Sequence, residues 1–190
     1  METLTKSELE YRKEELMNRI VEGEVFIHPT DTIYGLGCNA LNEKAVKQIR
    51  ELKNRPDTPF SIWAPSKKWI LDNCEADEEV EEWIDKLPGP YTLVLKIKKK
   101  SAIAPNVHPT NGTIGVRIPN HWFHNVVERL GIPIVTTSAN RTGQGFMTSI
   151  ENIDPEVKKG VRFIVYEGEK KGRPSQIVDL AHGKMSVKER

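Results

Sequence analysis

The segment Pro29-Thr30-Asp31-Thr32-Ile33-Tyr34-Gly35-Leu36-Gly37 is rich in hydroxyl groups and glycines, and apolar elements bound it. Before it, Val25-Phe26-Ile27 predicts a short buried strand. After it, apolar residues recur at helical spacing up to Leu52, and Asn42 is a good N-cap for this helix. The helix must end before Pro56, because a residue that precedes proline disfavours helical angles. Polar segments that follow strands of an α/β sheet are natural walls of a ligand site.

The same alternation continues outward along the chain. Predicted strands cover 60–64, 91–97, 113–118, 133–137, 162–166 and 176–180, and residues 184–188 could add an edge strand. One helix is predicted to start at Ser7, where Ser7-Glu8-Leu9-Glu10 is a capping-box pattern, and to stop at Gly23. Further helices are predicted after Ser66 and over 77–87, 120–130 and 152–159. The pattern predicts an α/β class with a mixed sheet and one domain over residues 1–190.

Composition narrows the function classes. Hydrophobic residues make up 37% and charged residues 29% of the 190 residues, as in globular proteins. No apolar run approaches the ~20 residues that span a bilayer, and the N-terminus lacks signal-peptide features, so we expect a cytoplasmic protein without membrane contact. Cys38 and Cys74 predict two reduced core thiols, with neither a disulfide framework nor a thiolate zinc site.

Charge is balanced overall but unevenly placed. The net charge of +1 gives no global case for nucleic-acid binding. The acidic stretch 75–85 is typical of the solvated face of a helix. The cluster Lys98-Lys99-Lys100 could meet RNA phosphates, and a solvated strand end is the alternative.

Three basic residues are candidates for binding an anion. Lys53 and Arg55, beside a hydroxyl-rich cleft, suit a polyphosphate, although two basic residues at a helix end usually serve the helix dipole and contact water. Arg117 lies in an apolar strand, where alternation places it on one face with Thr113 and Gly115. A buried guanidinium needs an anionic partner. A structural ion pair and a bound carboxylate are both open for Arg117.

Several common chemistries lack their motifs. Neither a Walker-type loop nor a dinucleotide-binding glycine fingerprint is present. Without Gly-x-Ser-x-Gly, Ser138 is not a hydrolase nucleophile by motif. His121 and His124 stand three apart on a predicted helix with no third ligand nearby, which favours surface or interface histidines over a metal site.

Six motifs in order carry a resemblance to a known family. They are Pro29 to Gly37, Lys53-Asn54-Arg55-Pro56, Pro88-Gly89-Pro90-Tyr91-Thr92-Leu93, Val116-Arg117-Ile118-Pro119, Thr137-Ser138-Ala139-Asn140 and Pro174-Ser175-Gln176-Ile177-Val178-Asp179. Over nearly its whole length the chain resembles the YrdC-like threonylcarbamoyl-adenylate synthases. It looks like the short form, without the extra C-terminal domain of some relatives.

The resemblance implies a fold and a reaction. The fold is a YrdC-like twisted mixed sheet flanked by helices, with a large concave, positively charged cavity. The reaction combines L-threonine, bicarbonate and ATP, with Mg²⁺ carried by the nucleotide, into threonylcarbamoyl-AMP and pyrophosphate. A separate transferase complex then moves the threonylcarbamoyl group onto tRNA. An RNA-binding module (double-stranded RNA or tRNA) and a regulatory, carbamoyl-transfer-like domain of the same fold are the competing interpretations.

The resemblance also assigns roles to residues. ATP contacts are matched by Lys53, Arg55, Thr113, Asn140, Thr148 and Arg190, of which Lys53 and Arg55 would hold the phosphates as the catalytic pair. Threonine contacts are matched by Thr32, Tyr34, Arg117, Ser138 and Ser175. No protein-bound metal is implied. Two departures stand out: Trp63 lies near the place of a histidine that touches threonine in many relatives, and residues 141–146 form an unusual run.

Overall fold

Strands and helices are interspersed along the chain, although several strands follow one another without a helix between them. The computed structural model describes residues 1–109, 112–182 and 186–188. The strands in these ranges are β1 (Glu2–Leu4), β2 (Phe26–His28), β3 (Gly35–Asn39), β4 (Ser61–Trp63), β5 (Tyr91–Lys96), β6 (Thr113–Arg117), β7 (Ile134–Ser138), β8 (Phe163–Val165), β9 (Gln176–Asp179) and β10 (Ser186–Lys188). The helices are α1 (Lys6–Tyr11), α2 (Lys13–Glu22), α3 (Glu43–Lys53), α4 (Lys67–Asn73), α5 (Glu78–Asp85), α6 (His124–Leu130) and α7 (Pro155–Gly160).

All ten described strands join one sheet in the order β1-β8-β2-β3-β7-β4-β6-β5-β9-β10. The pairs β1–β8, β2–β8, β4–β6 and β5–β9 are parallel, and the other five neighbouring pairs are antiparallel. The α/β class with a mixed sheet is therefore confirmed. No helix in the described ranges is long and apolar enough to cross a membrane.

One face of the sheet is uniformly apolar. A row of fully buried side chains crosses six neighbouring strands, namely Cys38, Val135, Ile62, Val116, Leu93 and Val178. Helices α3, α4, α5 and α7 add Val46, Ile70, Ile84 and Val157 to the same core. Burial of this surface at about 25 cal/mol per Å² supplies the main driving force for the layer.

The opposite face is divided in two. Under α1, α2 and α6 it carries a second core of large side chains, including Phe26, Trp63, Phe123 and Phe163. Beyond this core, the neighbouring strands present only small residues in one row: Gly37, Thr136, Ser61 and Gly115. A Cβ on Gly115 would lie 2.8 Å from Ser61 Oγ, so glycine gives that hydroxyl its place. Small side chains leave a depression on this half of the face.

The predicted start of the first helix was wrong. Thr5, not Ser7, is the N-cap, since Thr5 Oγ1 accepts from Glu8 N at 3.3 Å and the Glu8 carboxylate accepts from Thr5 N at 2.7 Å. Both hydroxyl residues have a glutamate three positions later, so the motif alone does not choose between them. Strand β1, which was not predicted, determines which residue is the N-cap. It ends at Leu4, and Thr5 continues it with extended angles. Gly23 ends α2 in the left-handed region, as predicted (φ 102°).

Other local predictions have mixed outcomes. Cys38 and Cys74 are buried and free, which confirms the predicted core thiols. The helix expected over 120–130 begins only at His124. Residues 120–123 form a turn instead, where Asn120 N donates to the Asp31 carboxylate at 3.0 Å rather than to helical neighbours. Lys98, Lys99 and Lys100 are exposed after β5, as expected for a solvated strand end.

Candidate active site

A cavity occupies the small-residue half of the second face. We call it the hydroxyl cavity, because eight of its described lining residues are serine or threonine. Its lining includes all five residues that the resemblance assigned to threonine, namely Thr32, Tyr34, Arg117, Ser138 and Ser175. They come from four separate segments of the chain. The geometry therefore brings the predicted set together, while their binding of threonine stays a prediction.

Thr32 is held by a hydrogen-bonded turn at the start of the quoted segment. Thr30 Oγ1 accepts from Thr32 N at 3.1 Å and from Ile33 N at 3.2 Å, and it donates to Ile33 O at 2.7 Å. A threonine hydroxyl that closes such a turn replaces backbone pairing. The turn presents Thr32 to the cavity and leads the chain directly into β3.

Arg117 forms a buried ion pair at the edge of the cavity. Its Nη2 lies 3.1 Å from Asp31 Oδ1, and the two side chains are only 8% and 12% exposed. The second oxygen of Asp31 accepts the Asn120 N–H. Of the two alternatives for Arg117, the structure contains the ion pair. The guanidinium also lines the cavity, so the bound carboxylate stays a prediction.

Lys53 is buried beneath the loop that follows β7. It is 2% exposed, and its Nζ donates to Ser138 O at 2.5 Å and to Asn140 O at 2.6 Å. Arg55 is half-buried, donates to Pro59 O at 2.8 Å and lies over the Phe60 ring. Neither side chain lines the hydroxyl cavity. The strongly basic cavity implied by the resemblance is thus not shown, since Arg117 is the one charged side chain among the described lining residues.

A second cavity adjoins the first. We call it the loop cavity; it has a volume of about 350 Å³ and is lined in part by Asn140, Gln144, Phe146, Asn152 and Asp154. Asn140 Nδ2 donates to Gln144 O at 2.7 Å, which braces the loop. Thr148 Oγ1 accepts from Asn152 Nδ2 at 2.7 Å. Of the predicted ATP residues, Asn140 therefore lines this cavity, and Thr148 is hydrogen-bonded to another lining residue, Asn152.

Of the other predicted ATP residues, Lys53 contacts Asn140 O, whereas Thr113 lies apart from this cavity. Thr113 lies four residues before Arg117 on β6, and its Oγ1 is 3.2 Å from His108 Nε2 in a different cavity, which Lys100 also lines. Arg190 lies outside the described residues. Within the described ranges, no group of three or more His, Cys, Asp or Glu residues could hold a metal ion.

Residues 167–175, which we call the strap, contribute Pro174 and Ser175 to the wall of the hydroxyl cavity. Tyr34 Oη donates to Gly168 O at 2.6 Å, and Lys170 Nζ donates to Thr30 O at 2.9 Å. Burial raises the pKa of Tyr34 to about 12, so the phenol keeps its proton for this bond. Ser175 Oγ lies 2.7 Å from Thr92 Oγ1 on β5. These bonds tie the strap to the segment 30–34 and to β5.

Trp63, which lies near the place of a histidine in many relatives, is part of the second core. It is fully buried, and its Nε1 donates to His124 Nδ1 at 2.9 Å. His121 pairs with Glu167 at 2.8 Å, so both histidines are half-buried and partnered rather than on the surface.

His28, which the sequence analysis did not single out, packs edge-on against Trp63 and stacks on Phe123. Burial lowers the pKa of His28 to about 3, so it is neutral.

Asp31 and His28 are the main site residues that sequence reasoning missed. Asp31 lies inside the segment 29–37. The signal that could have found it is the need of the strand arginine, Arg117, for an anionic partner. His28 directly precedes that segment, and its ring lies against Gly35 and Gly37, where a Cβ would approach it within 3 Å. The glycine pair on β3 was the signal for a large neighbour.

Known proteins resemble this chain closely. The family model for Sua5/YciO/YrdC proteins, described as "Telomere recombination", matches residues 18–190. A "Putative threonylcarbamoyl-AMP synthase" of Methanocaldococcus jannaschii is 38% identical over 189 residues, which cover 97% of this chain and 86% of the relative. The "Threonylcarbamoyl-AMP synthase" of Pyrococcus abyssi is 38% identical over 168 residues, which cover 85% of this chain.

A solved structure shares the fold. The crystal structure of P. abyssi Sua5 complexed with L-threonine has a TM-score of 0.83, is 30% identical and covers 98% of this chain. The chain spans about half of these Pyrococcus proteins, 48% of the curated sequence and 56% of the crystal structure. Family match, identity and fold agree. The chain belongs to the Sua5/YciO/YrdC family.

Proposed function

We propose that this protein is an L-threonylcarbamoyladenylate synthase, a nucleotidyltransferase that makes threonylcarbamoyl-AMP and pyrophosphate from L-threonine, bicarbonate and ATP. The observation that carries the proposal is the convergence of Thr32, Tyr34, Arg117, Ser138 and Ser175 on one cavity. Relatives named threonylcarbamoyl-AMP synthase, and a Sua5 structure of the same fold with L-threonine, support it.

Arg117 would bind the carboxylate of threonine. A guanidinium and a carboxylate form charge-assisted hydrogen bonds, and the low exposure of Arg117 limits competition from water. The surrounding serine and threonine hydroxyls can bind the polar groups of the amino acid without adding charge. Asp31 would hold the guanidinium in position from behind, through the 3.1 Å contact.

The chemistry needs positioning more than an acid or a base. The neutral amine of threonine adds to the carbon of carbon dioxide and loses a proton, or adds to bicarbonate with loss of water, and either route gives a carbamate. A carbamate oxygen then attacks the α-phosphorus of ATP. The bond between the α-phosphorus and the oxygen that bridges it to the β-phosphorus breaks, and pyrophosphate leaves with that oxygen. ATP would enter as its magnesium complex. Lys53 and Arg55 would contribute charge near the phosphates, with Lys53 acting from beneath the loop of residues 138–140.

The product implies a place in the cell. Threonylcarbamoyl-AMP would pass to a threonylcarbamoyl transferase complex that modifies tRNA, so we place the reaction in the cytoplasm. We further propose that residues 1–190 act as one YrdC-like domain. The exposed cluster Lys98-Lys99-Lys100 favours RNA contact as a second candidate function, and its affinity for tRNA should fall steeply with salt.

Pyrophosphate release tests the proposal. The purified chain is incubated with MgATP and bicarbonate, and L-threonine is compared with L-serine and with no amino acid. We expect release that depends on threonine and on bicarbonate, and that is lost in Arg117→Ala. ATP binding without release under any of these conditions would contradict the synthase and favour the RNA-binding or regulatory alternative.

A further inference from the structure

Phe146 is exposed at a place where two cavities meet. Its side chain is 44% exposed, whereas Met147, the next residue, is fully buried. Phe146 lines the hydroxyl cavity and also the loop cavity. The residue is therefore part of the wall that the two cavities share.

The loop that carries Phe146 is anchored at both ends. Thr142 N and Oγ1 donate to Lys53 O at 3.1 and 3.0 Å, and Asn140 Nδ2 donates to the carbonyl of residue 144. On the other side, the buried Met147 fixes the chain in the core. A Cβ on Gly143 or Gly145 would meet nothing within 4 Å, so the loop faces open space at these two positions. The position of Phe146 is thus set by its neighbours.

The shared wall is where the proposed reaction would take place. The predicted threonine residues line the hydroxyl cavity. Asn140 lines the loop cavity, and Thr148 is hydrogen-bonded to another of its lining residues, Asn152. A carbamate in the first cavity must touch the α-phosphate of a nucleotide in the second. The product is a mixed anhydride, which water can cleave, and apolar groups that exclude water from such a site suppress this side reaction.

We propose that Phe146 is a positioning residue that covers the junction of the two cavities and excludes water from the carbamate and from the threonylcarbamoyl-AMP formed there. This inference rests on the proposed function. Without the cover, the oxygen of water adds to the carbamoyl carbon and the bond from that carbon to the phosphate oxygen breaks. AMP leaves with that oxygen, and the N-carboxythreonine that remains loses carbon dioxide and returns threonine.

The test compares Phe146→Ala with Phe146→Leu, which keeps an apolar cover. Leu71→Ala is the matched control. Leu71 is 39% exposed and lies on α4, which packs on the uniformly apolar face of the sheet, away from the hydroxyl cavity. For each protein, pyrophosphate released and threonylcarbamoyl-AMP recovered are measured in one reaction, with thermal unfolding as the check on folding. In Phe146→Ala we expect their ratio to rise about threefold or more, with AMP as the excess product.

The outcomes separate this inference from the proposed function. A raised ratio in Phe146→Ala, with wild-type ratios in Phe146→Leu and Leu71→Ala, supports the cover. An unchanged ratio in Phe146→Ala, with the wild type active, overturns the cover alone. A wild-type chain that binds threonine and ATP but releases no pyrophosphate overturns both. A ratio that rises equally in Leu71→Ala would mean general loosening of the fold and would also overturn the cover.

Discussion

Replacing Lys53 by methionine should weaken the fold, because the ammonium of Lys53 holds a loop. Methionine keeps most of the aliphatic stem but removes the donor to Ser138 O and Asn140 O. Each charge-assisted hydrogen bond is worth about 1.5–3 kcal/mol. The Asn140 carbonyl would then lose this donor, and the half-buried Ser138 carbonyl would keep its bond from Asn140 N. We therefore expect the free energy of unfolding to fall by about 3–5 kcal/mol, close to the sum of the two lost bonds.

The assay is guanidinium chloride unfolding with a matched control on the same helix. Lys47→Met also removes an ammonium from α3, but its side chain is 74% exposed, so we expect a change within about 0.5 kcal/mol. By the usual scaling for a chain of this size, Lys53→Met should lower the melting temperature by about 6–20 °C. If Lys53→Met is as stable as Lys47→Met, the ammonium does not hold the loop in solution and the reasoning is refuted.

Three further predictions concern the strap, the ion pair and the buried histidine. A Cβ on Gly172 would lie 2.0 Å from Thr32 O, so Gly172→Ala should displace the strap. We expect the free energy of unfolding, measured with a chemical denaturant, to fall by about 1–3 kcal/mol. An unchanged unfolding midpoint would contradict the close approach. Asp31→Asn removes the charge that faces Arg117. The free energy of unfolding, measured in urea, should fall by about 1–3 kcal/mol. An unchanged value would show that the ion pair does not contribute to stability. Burial lowers the pKa of His28 from 6.5 to about 3, so the unfolded chain binds a proton that the folded chain lacks. His28 therefore contributes a loss of stability as pH falls below 6.5, at up to about 1.4 kcal/mol per pH unit. The same pH series on His28→Phe should have a smaller slope, and equal slopes would refute the shift.

Local signals predicted the helices better than the strands. Asn42, Ser66 and Asp77 each accept a hydrogen bond from the backbone three residues later, so the cap and its helix were readable from a few neighbouring residues. Strand β3 was missed because Gly35 and Gly37 have low strand propensity. It exists because both neighbouring strands pair with it, and because its bare glycines leave room for the His28 ring.

The motifs picked out several residues that line the hydroxyl cavity, but they did not predict how these residues are arranged. Motif resemblance selected Thr32, Arg117 and Ser175, and the sheet topology brings them to one cavity. For Lys53, by contrast, the sequence pattern predicts an exposed side chain in the last turn of α3. Its burial depends on carbonyls 85 and 87 residues further along the chain, which no local pattern reports.

The most direct measurement follows a labelled carbon into the product. The chain is incubated with MgATP, L-threonine and ¹³C-bicarbonate, and the reaction is analysed by mass spectrometry. We predict an adenylate that contains threonine and one ¹³C, formed in step with pyrophosphate. An adenylate without the label, or no adenylate while threonine and ATP are both bound, would contradict the assignment of this fold and its hydroxyl cavity to threonylcarbamoyl-AMP synthesis.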